Sequence, residues 1–211
     1  MDPSLPLLVL QAAGVGLLIA APVGPIGLLT VQRTLQRGQA AGLATGLGAA
    51  AADAVYGAVG AYGVHGLIAW LAGIRVPLAI AGGALLLVLA WRTWQAPVDD
   101  RPAPARDARD LLGLFAGTFV LTLSNPATIL SFIAVFGALA GGVARAASPL
   151  PMVLGVALGS AAWWLLLTTL VARVRGRFTA AWRRRVNRGS ALLLAGFALA
   201  QGWAALAGRA S

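Results

Sequence analysis

The 211-residue chain contains no cysteine, lysine or glutamate, and only one histidine. Without cysteine there is no disulfide, thiolate metal site or thiol relay, although the cellular compartment is left open. The six acidic residues are all aspartates, and the sequence offers no second buried acid that could complete a catalytic constellation. We therefore predict neither an enzyme nor a cofactor, and no metal site.

Charge is scarce as well. Charged residues make up 10% of the chain and hydrophobic residues 59%, whereas about a quarter of a soluble domain is charged. The net charge is +10, but the arginines lie between apolar stretches and no basic face is interleaved with exposed aromatics. Nucleic acid is therefore not a predicted partner. The composition predicts an all-α integral membrane protein.

Six apolar stretches approach the roughly 20 residues that a helix needs to cross a bilayer. Pro22 to Pro25 interrupt the first stretch and Asn125-Pro126 interrupts the fourth, because proline removes a backbone donor and clashes with the preceding turn. A polar, proline-rich stretch between the third and fourth predicts a solvated cytoplasmic linker. The six predicted spans are residues 5–29, 39–63, 76–94, 111–139, 150–172 and 190–206.

The two halves of the chain predict an inverted repeat of three helices each, residues 1–94 and 111–211, joined by the linker 95–110. Each half opens with a proline-broken span and continues with a span of regularly spaced glycines: Gly42 and Gly46 in the first half, Gly155 and Gly159 in the second. Because three is an odd number, the second half enters the membrane from the opposite side. Transporters built in this way bind substrate near the midplane, between the broken helices.

The distribution of arginine predicts the orientation. Thirteen of the sixteen arginines lie at the end of the first, third or fifth span or in the loop after it, which makes those loops cytoplasmic and both termini external. The predicted location is the bacterial inner membrane. Seven arginines occupy the predicted loop Arg173–Arg188, which we interpret as a topology determinant, with contact to anionic lipid head groups as an alternative. A monomer and a homodimer both remain open.

Asp53 is the most informative residue. It lies in a stretch with small residues at every fourth position, which would form a smooth helix face for close packing. No cation lies one helical turn from Asp53, so a carboxylate there is costly in lipid and indicates a function in the bundle interior. At 1.5 Å per residue, the breaks at Pro22 and Pro126 lie roughly 22–26 Å from their entry faces, and Asp53 lies at a similar central depth. The small residues are Gly38, Gly42, Gly46, Ala50, Ala54 and Ala58.

Together these features predict a binding site. A broken helix exposes N–H groups and a positive dipole end to an anion such as a carboxylate. Asn125 adds an amide, and Asp53 can accept an ammonium group or a proton. The site thus suits a zwitterion, and its predicted residues include Pro22, Gly24, Pro25 and Pro126. The alternative interpretation is that the prolines form packing kinks and that Asp53 is protonated and hydrogen-bonded to a neighbouring helix.

Three motifs resemble the lysine exporter (LysE/RhtB) family: residues 22–26 (PVGPI), the run from Arg37-Gly38 to Tyr56-Gly57, and residues 123–128 (LSNPAT). The resemblance covers essentially the whole chain. It implies export of amino acids or related small metabolites from the bacterial cytoplasm, driven by proton exchange, and it adds Tyr56 to the site residues. Val23 stands where many members have proline, and Ala127 where many have lysine.

A divalent-cation exporter of a related membrane family is the alternative function. A dehydrated metal ion usually requires several carboxylates, histidines or thiolates. The sequence predicts only one buried carboxylate, Asp53, which favours the amino-acid exporter.

Overall fold

A computed structural model describes residues 4–22, 24–62, 73–96, 107–125, 128–132, 149–177 and 179–207. These residues form α-helices joined by short turns, with no strand among them, and helical backbone also occurs at 128–132. Pro126, Ala127 and most of the predicted linker lie outside the described residues. The long helices are α1 (Ser4–Ala20), α2 (Pro25–Arg37), α3 (Gln39–Ala61), α4 (Arg75–Gln95), α5 (Ala108–Leu123), α6 (Pro149–Val174) and α7 (Ala180–Ala207).

Two of these helices are long and apolar enough to cross a membrane, over Val76–Gln95 and Pro149–Val174. Leu5–Ala20 and Pro25–Arg37 form a third candidate if the bent pair is one span. Among the described residues the other helices do not qualify by length and composition. One reason is that α3 is built from glycine and alanine rather than from larger apolar residues.

The first predicted span is broken where the prolines are. The axes of α1 and α2 meet at 82°, Gly24 has an extended backbone, and Pro25 is the first residue of α2. Proline suits this position because its missing N–H would have no partner in the first turn. The predicted first loop, however, is wrong. Arg33 and Arg37 belong to α2, and the turn to α3 is made by Gly38, whose φ of 94° favours glycine.

The fourth predicted span is interrupted after Leu123, and helical backbone resumes at residue 128. Its beginning differs from the sequence prediction, which assigned residues 95–110 to the linker. The Asp107 side chain accepts a hydrogen bond of 2.9 Å from the backbone N–H of Asp110 and caps α5, so residues 108–110 are helical.

The predicted arginine-rich loop Arg173–Arg188 is mostly helix, which corrects the sequence analysis. After a short 3-10 turn over Arg175–Arg177, the hydroxyl of Thr179 accepts a hydrogen bond of 3.3 Å from the Trp182 N–H, and α7 begins at Ala180. Hydropathy delimits only the apolar part of a helix, whereas arginine is itself a good helix former. Four arginines therefore occupy the first turns of α7.

The helix contacts are symmetric between the two halves. α1 packs against α6 and α5 packs against α3, while α3 packs against α6 and α4 against α7. Exchanging the first three predicted spans for the last three leaves this set of pairs unchanged. α2 packs mainly on α3 and also touches α6 and α7.

Candidate functional site

Asp53 is buried in the middle of α3, with 3% of its surface exposed, at the contact with α6. The hydroxyl of Ser160, on α6, donates a hydrogen bond of 2.7 Å to Oδ2 of Asp53. Ser160 is itself fully buried. The sequence analysis gave the alternative that Asp53 is protonated and hydrogen-bonded to a neighbouring helix. The structure shows the hydrogen bond, and the protonation stays a prediction.

Glycines allow α6 to approach its neighbours this closely. A Cβ atom on Gly159 would lie 1.8 Å from the carbonyl oxygen of Ala13 in α1, and one on Gly16 would lie 2.1 Å from the carbonyl oxygen of Val156. On the other side of α6, Trp164 packs against Gly46 of α3. A Cβ atom on Gly46 would lie 2.4 Å from the Cβ atom of Trp164. The predicted small-residue face of α3 is therefore used for helix packing, and Ser160 is carried to Asp53 by that packing.

A cavity of about 470 Å³ lies beside Asp53 and between the two helix interruptions. Its wall is mainly apolar, with contributions from Ile19, Trp164 and Phe197. Such a volume lies within the range of small-molecule sites. Five of the predicted site residues line it: Pro22, Gly24, Pro25, Asp53 and Asn125. Of the other two, Tyr56 does not line this cavity, and Pro126 lies outside the described residues.

Tyr56 instead fixes the end of α5. Its hydroxyl donates a hydrogen bond of 2.6 Å to the carbonyl oxygen of Leu123, the last residue of that helix. Its ring stacks on Phe132, with centroids 5.4 Å apart. Tyr56 therefore joins α3 to both sides of the second interruption. The placement makes it a support of the cavity rather than part of its wall.

Ser160, Trp164 and Gln201 were not among the predicted site residues. Trp164 and Gln201 line the cavity, and the Trp164 Nε1 and Gln201 Nε2 donors have no hydrogen-bond partner among the described residues. A signal for Ser160 was available, because it is the only hydroxyl residue between Pro149 and Leu167. Trp164 both lines the cavity and packs against Gly46 of α3.

Arg33 lies in a second polar cluster, away from the cavity wall. Its Nη1 donates to the hydroxyls of Thr45 and Thr118, at 3.0 Å each. Next to it on α2, Oε1 of Gln32 accepts a hydrogen bond of 3.3 Å from the hydroxyl of Thr93. Gln36 donates to Asn187. The hydrogen bonds of this cluster join α2 to α3, α4, α5 and α7.

The arrangement around Asp53 can hold an uncharged or cationic group at the carboxyl. The N-terminus of α2 faces the cavity through Gly24 and Pro25 without a side-chain cap, which leaves backbone N–H groups for an anion. No group of three or more His, Cys, Asp or Glu side chains lies close enough to hold a metal ion in the part of the chain that the structure describes.

Comparisons with known proteins agree on one family. The model of the family described as LysE type translocator matches residues 17–202. The chain is 30% identical over 142 residues to the uncharacterized membrane protein YahN of Escherichia coli strain K12, a match that covers 66% of this chain and 64% of YahN. It is 31% identical over 175 residues to the chemotactic transduction protein ChpE of Pseudomonas aeruginosa strain PAO1, covering 80% and 84%. No solved structure matches the chain.

Proposed function

Because the chain belongs to the LysE type translocator family, and is therefore a membrane transport protein, we propose that it exports an amino acid or a related small zwitterion by proton exchange. The single observation that carries this proposal is the cavity of about 470 Å³ between the two helix interruptions, with one carboxyl, Asp53, in its wall. A charge buried in a membrane bundle usually marks a substrate or ion pathway.

The wall of the cavity supports a zwitterionic substrate. Among the described residues that line it, Asp53 is the only charged one, so it is the partner for an ammonium group or for a proton. The N-terminus of α2, which has no side-chain cap, complements a carboxylate. The remaining wall is mainly apolar, which suits a small uncharged side chain.

Alternating use of Asp53 by a proton and an ammonium group would give exchange. The two ligands compete for one carboxyl, so release of the substrate on the outer side is followed by proton binding, and release of the proton inside readies the site again. A carboxyl that is hydrogen-bonded to one hydroxyl can serve both ligands without a change of partner residue.

We further propose six spans in two inverted repeats, in the bacterial inner membrane, with both termini external. The symmetric helix contacts support the repeat, since exchanging the halves preserves them. Arginine placement supports the orientation, and large apolar side chains such as Leu10 and Leu18, both 70% exposed, support a lipid-facing surface. The exposed arginines of α6 and α7 would then contact anionic lipid head groups.

A growth test with a panel of solutes examines the function. Cells with and without the gene are challenged with single amino acids, dipeptides and divalent metal salts. We expect the gene to raise tolerance to one or more amino acids or dipeptides and to lower their intracellular concentration. Tolerance to metal salts alone would overturn the proposal in favour of a cation exporter.

A further inference from the structure

Most of the helical serine and threonine hydroxyls with a hydrogen bond among the described residues follow one pattern, from which Ser160 and Thr93 depart. Serine and threonine within helices commonly donate to the carbonyl oxygen one turn earlier. Ser160 instead donates to a side chain on another helix, Oδ2 of Asp53. The hydroxyls that do donate to the carbonyl four residues earlier are those of Thr34, Thr45, Thr118, Thr122, Thr168 and Thr169.

The carbonyl that Ser160 would use by this pattern is that of Val156, four residues earlier. Its oxygen packs against Gly16 of α1. A Cβ atom on Gly16 would lie 2.1 Å from this oxygen, and glycine has none. A carbonyl oxygen has two lone pairs, and the helix N–H occupies one of them. Ser160 makes no hydrogen bond to this carbonyl, and its hydroxyl donates to Asp53 on α3 instead.

We propose that Ser160 is the positioning residue of Asp53 and that its hydroxyl stays hydrogen-bonded to that carboxyl in both protonation states. When Asp53 is ionised, Ser160 donates to it. When Asp53 has taken a proton from water on Oδ1, Oδ2 becomes the carbonyl oxygen of the carboxyl and still accepts the hydrogen bond from Ser160. The Ser160 proton never leaves its oxygen, so the only proton gained is the one on Asp53.

This inference rests on the proposed function, in which Asp53 binds and releases a proton. It adds the contact through which the second half of the chain responds to that event, because Asp53 belongs to α3 and Ser160 to α6. Ser160 is also held in place from behind. The adjacent Gly159 packs on the backbone of Ala13, so the backbone at Ser160 cannot move back from Asp53 without moving α1.

Other ionisable groups near Asp53 are already engaged. Tyr56, one turn away on α3, donates to Leu123. Arg33 on α2 bonds to Thr45, which lies eight residues and thus about 12 Å from Asp53 along α3. The remaining charged residues of α2, α5 and α6 lie near helix ends: Arg37, Arg109, Asp110 and Arg173.

Infrared difference spectroscopy of the full chain in lipid nanodiscs, titrated between acidic and alkaline buffer, tests the inference without a substrate. The carbonyl stretching band of protonated Asp53 is identified by its loss in Asp53→Asn. We expect Ser160→Ala to shift this band to higher frequency, because the carboxyl loses its hydrogen-bond partner. Ser160→Thr, which retains the hydroxyl, should restore the wild-type position. Ser160→Cys, with a weaker partner of similar size, should give a smaller shift and serves if the alanine variant does not fold.

The matched control is Thr168→Val, which removes a buried hydroxyl of the same helix that donates only to α6 carbonyls. Its band should match that of the wild type. A Ser160→Ala band at the wild-type position would overturn the inference, and so would a wild-type spectrum in which Asp53 gives no titrating band. If the bands behave as expected but proteoliposomes export none of a labelled mixture of the protein amino acids, the inference stands and the proposed function fails.

Discussion

The guanidinium of Arg33 donates to the hydroxyl of Thr118, 85 residues later in the chain, at 3.0 Å. The same nitrogen also donates to Thr45, so one cation joins α2 to both α3 and α5. Both hydroxyls in turn donate to carbonyls of their own helices, at 2.8 Å for Thr45 and 2.9 Å for Thr118. Arg33 therefore binds oxygens whose hydrogens are already directed elsewhere.

Replacing Arg33 by lysine tests the geometry of this contact. Arg33→Lys keeps the charge but loses the planar, multi-donor head group, and we expect it to lower the free energy of unfolding by roughly 1–2 kcal/mol through a lost charge-assisted hydrogen bond. Thermal unfolding of the purified protein in detergent measures the change. The control is Arg109→Lys at an exposed position of α5. Equal melting temperatures for the two variants would contradict the prediction.

Asp53→Asn should abolish substrate efflux while folding and membrane insertion are retained. The amide has the size of the carboxyl and still offers an oxygen to Ser160, but it cannot take up a proton or balance an ammonium charge. Efflux from cells that express the variant at the wild-type level measures the effect. Asp110→Asn makes the same chemical change at an exposed position and should export normally. Normal export by Asp53→Asn would refute the role of Asp53.

Pro25→Ala and Asn125→Ala should each reduce transport more than they reduce thermal stability. Both residues line the cavity at a helix interruption, and the alanine variants change the wall without opening a large hole in a packed core. Initial rates of efflux and melting temperatures are compared for each variant. Losses that run in parallel would favour the alternative that the interruptions are packing kinks.

Tyr56→Phe should lower the free energy of unfolding by about 1 kcal/mol, because it removes one buried hydrogen bond, the one to Leu123. The ring and its stacking on Phe132 are retained. Tyr62→Phe provides the control, since Tyr62 is 61% exposed at the end of α3. Chemical or thermal unfolding of both variants measures the difference. Unchanged stability in Tyr56→Phe would show that the hydroxyl contributes nothing to this junction.

A reporter fused after Ser211 should be active only on the external side of the membrane. The expectation follows from the excess of arginine in the odd-numbered loops of a six-span chain. An alkaline phosphatase fusion and a fluorescent protein fusion at the same site give opposite readouts. Activity on the cytoplasmic side would reverse the proposed orientation.

The sequence was most informative where a residue was out of place in an apolar stretch. Asp53 and the two proline interruptions stood out chemically from their surroundings, and the structure brings Asp53, Pro25 and Asn125 to one cavity. Asp53 and the two interruptions lie at similar distances from the ends of separate spans. Because helices that cross the same bilayer share a depth scale, these distances predicted that the residues lie close together.

The sequence was least informative where rotation of a helix or its extent decides the contact. Ser160 is the only hydroxyl residue between Pro149 and Leu167, but its contact with Asp53 depends on which side of α6 faces α3. Arg33 was assigned to a loop because hydropathy falls there, yet α2 continues to Arg37. Arg183 was misplaced for the same reason, since the helix begins well before its apolar part.

Gly159 and Ser160 are neighbours in the chain, but one touches α1 and the other reaches α3. The width of the gap between two backbones therefore sets the environment of a carboxyl on a third helix. A methyl group added at residue 159 would not touch Asp53, yet it would push α1 and α6 apart and carry the serine with it. A substitution at a residue that does not touch Asp53 can thus alter the hydrogen bond that Asp53 makes with Ser160.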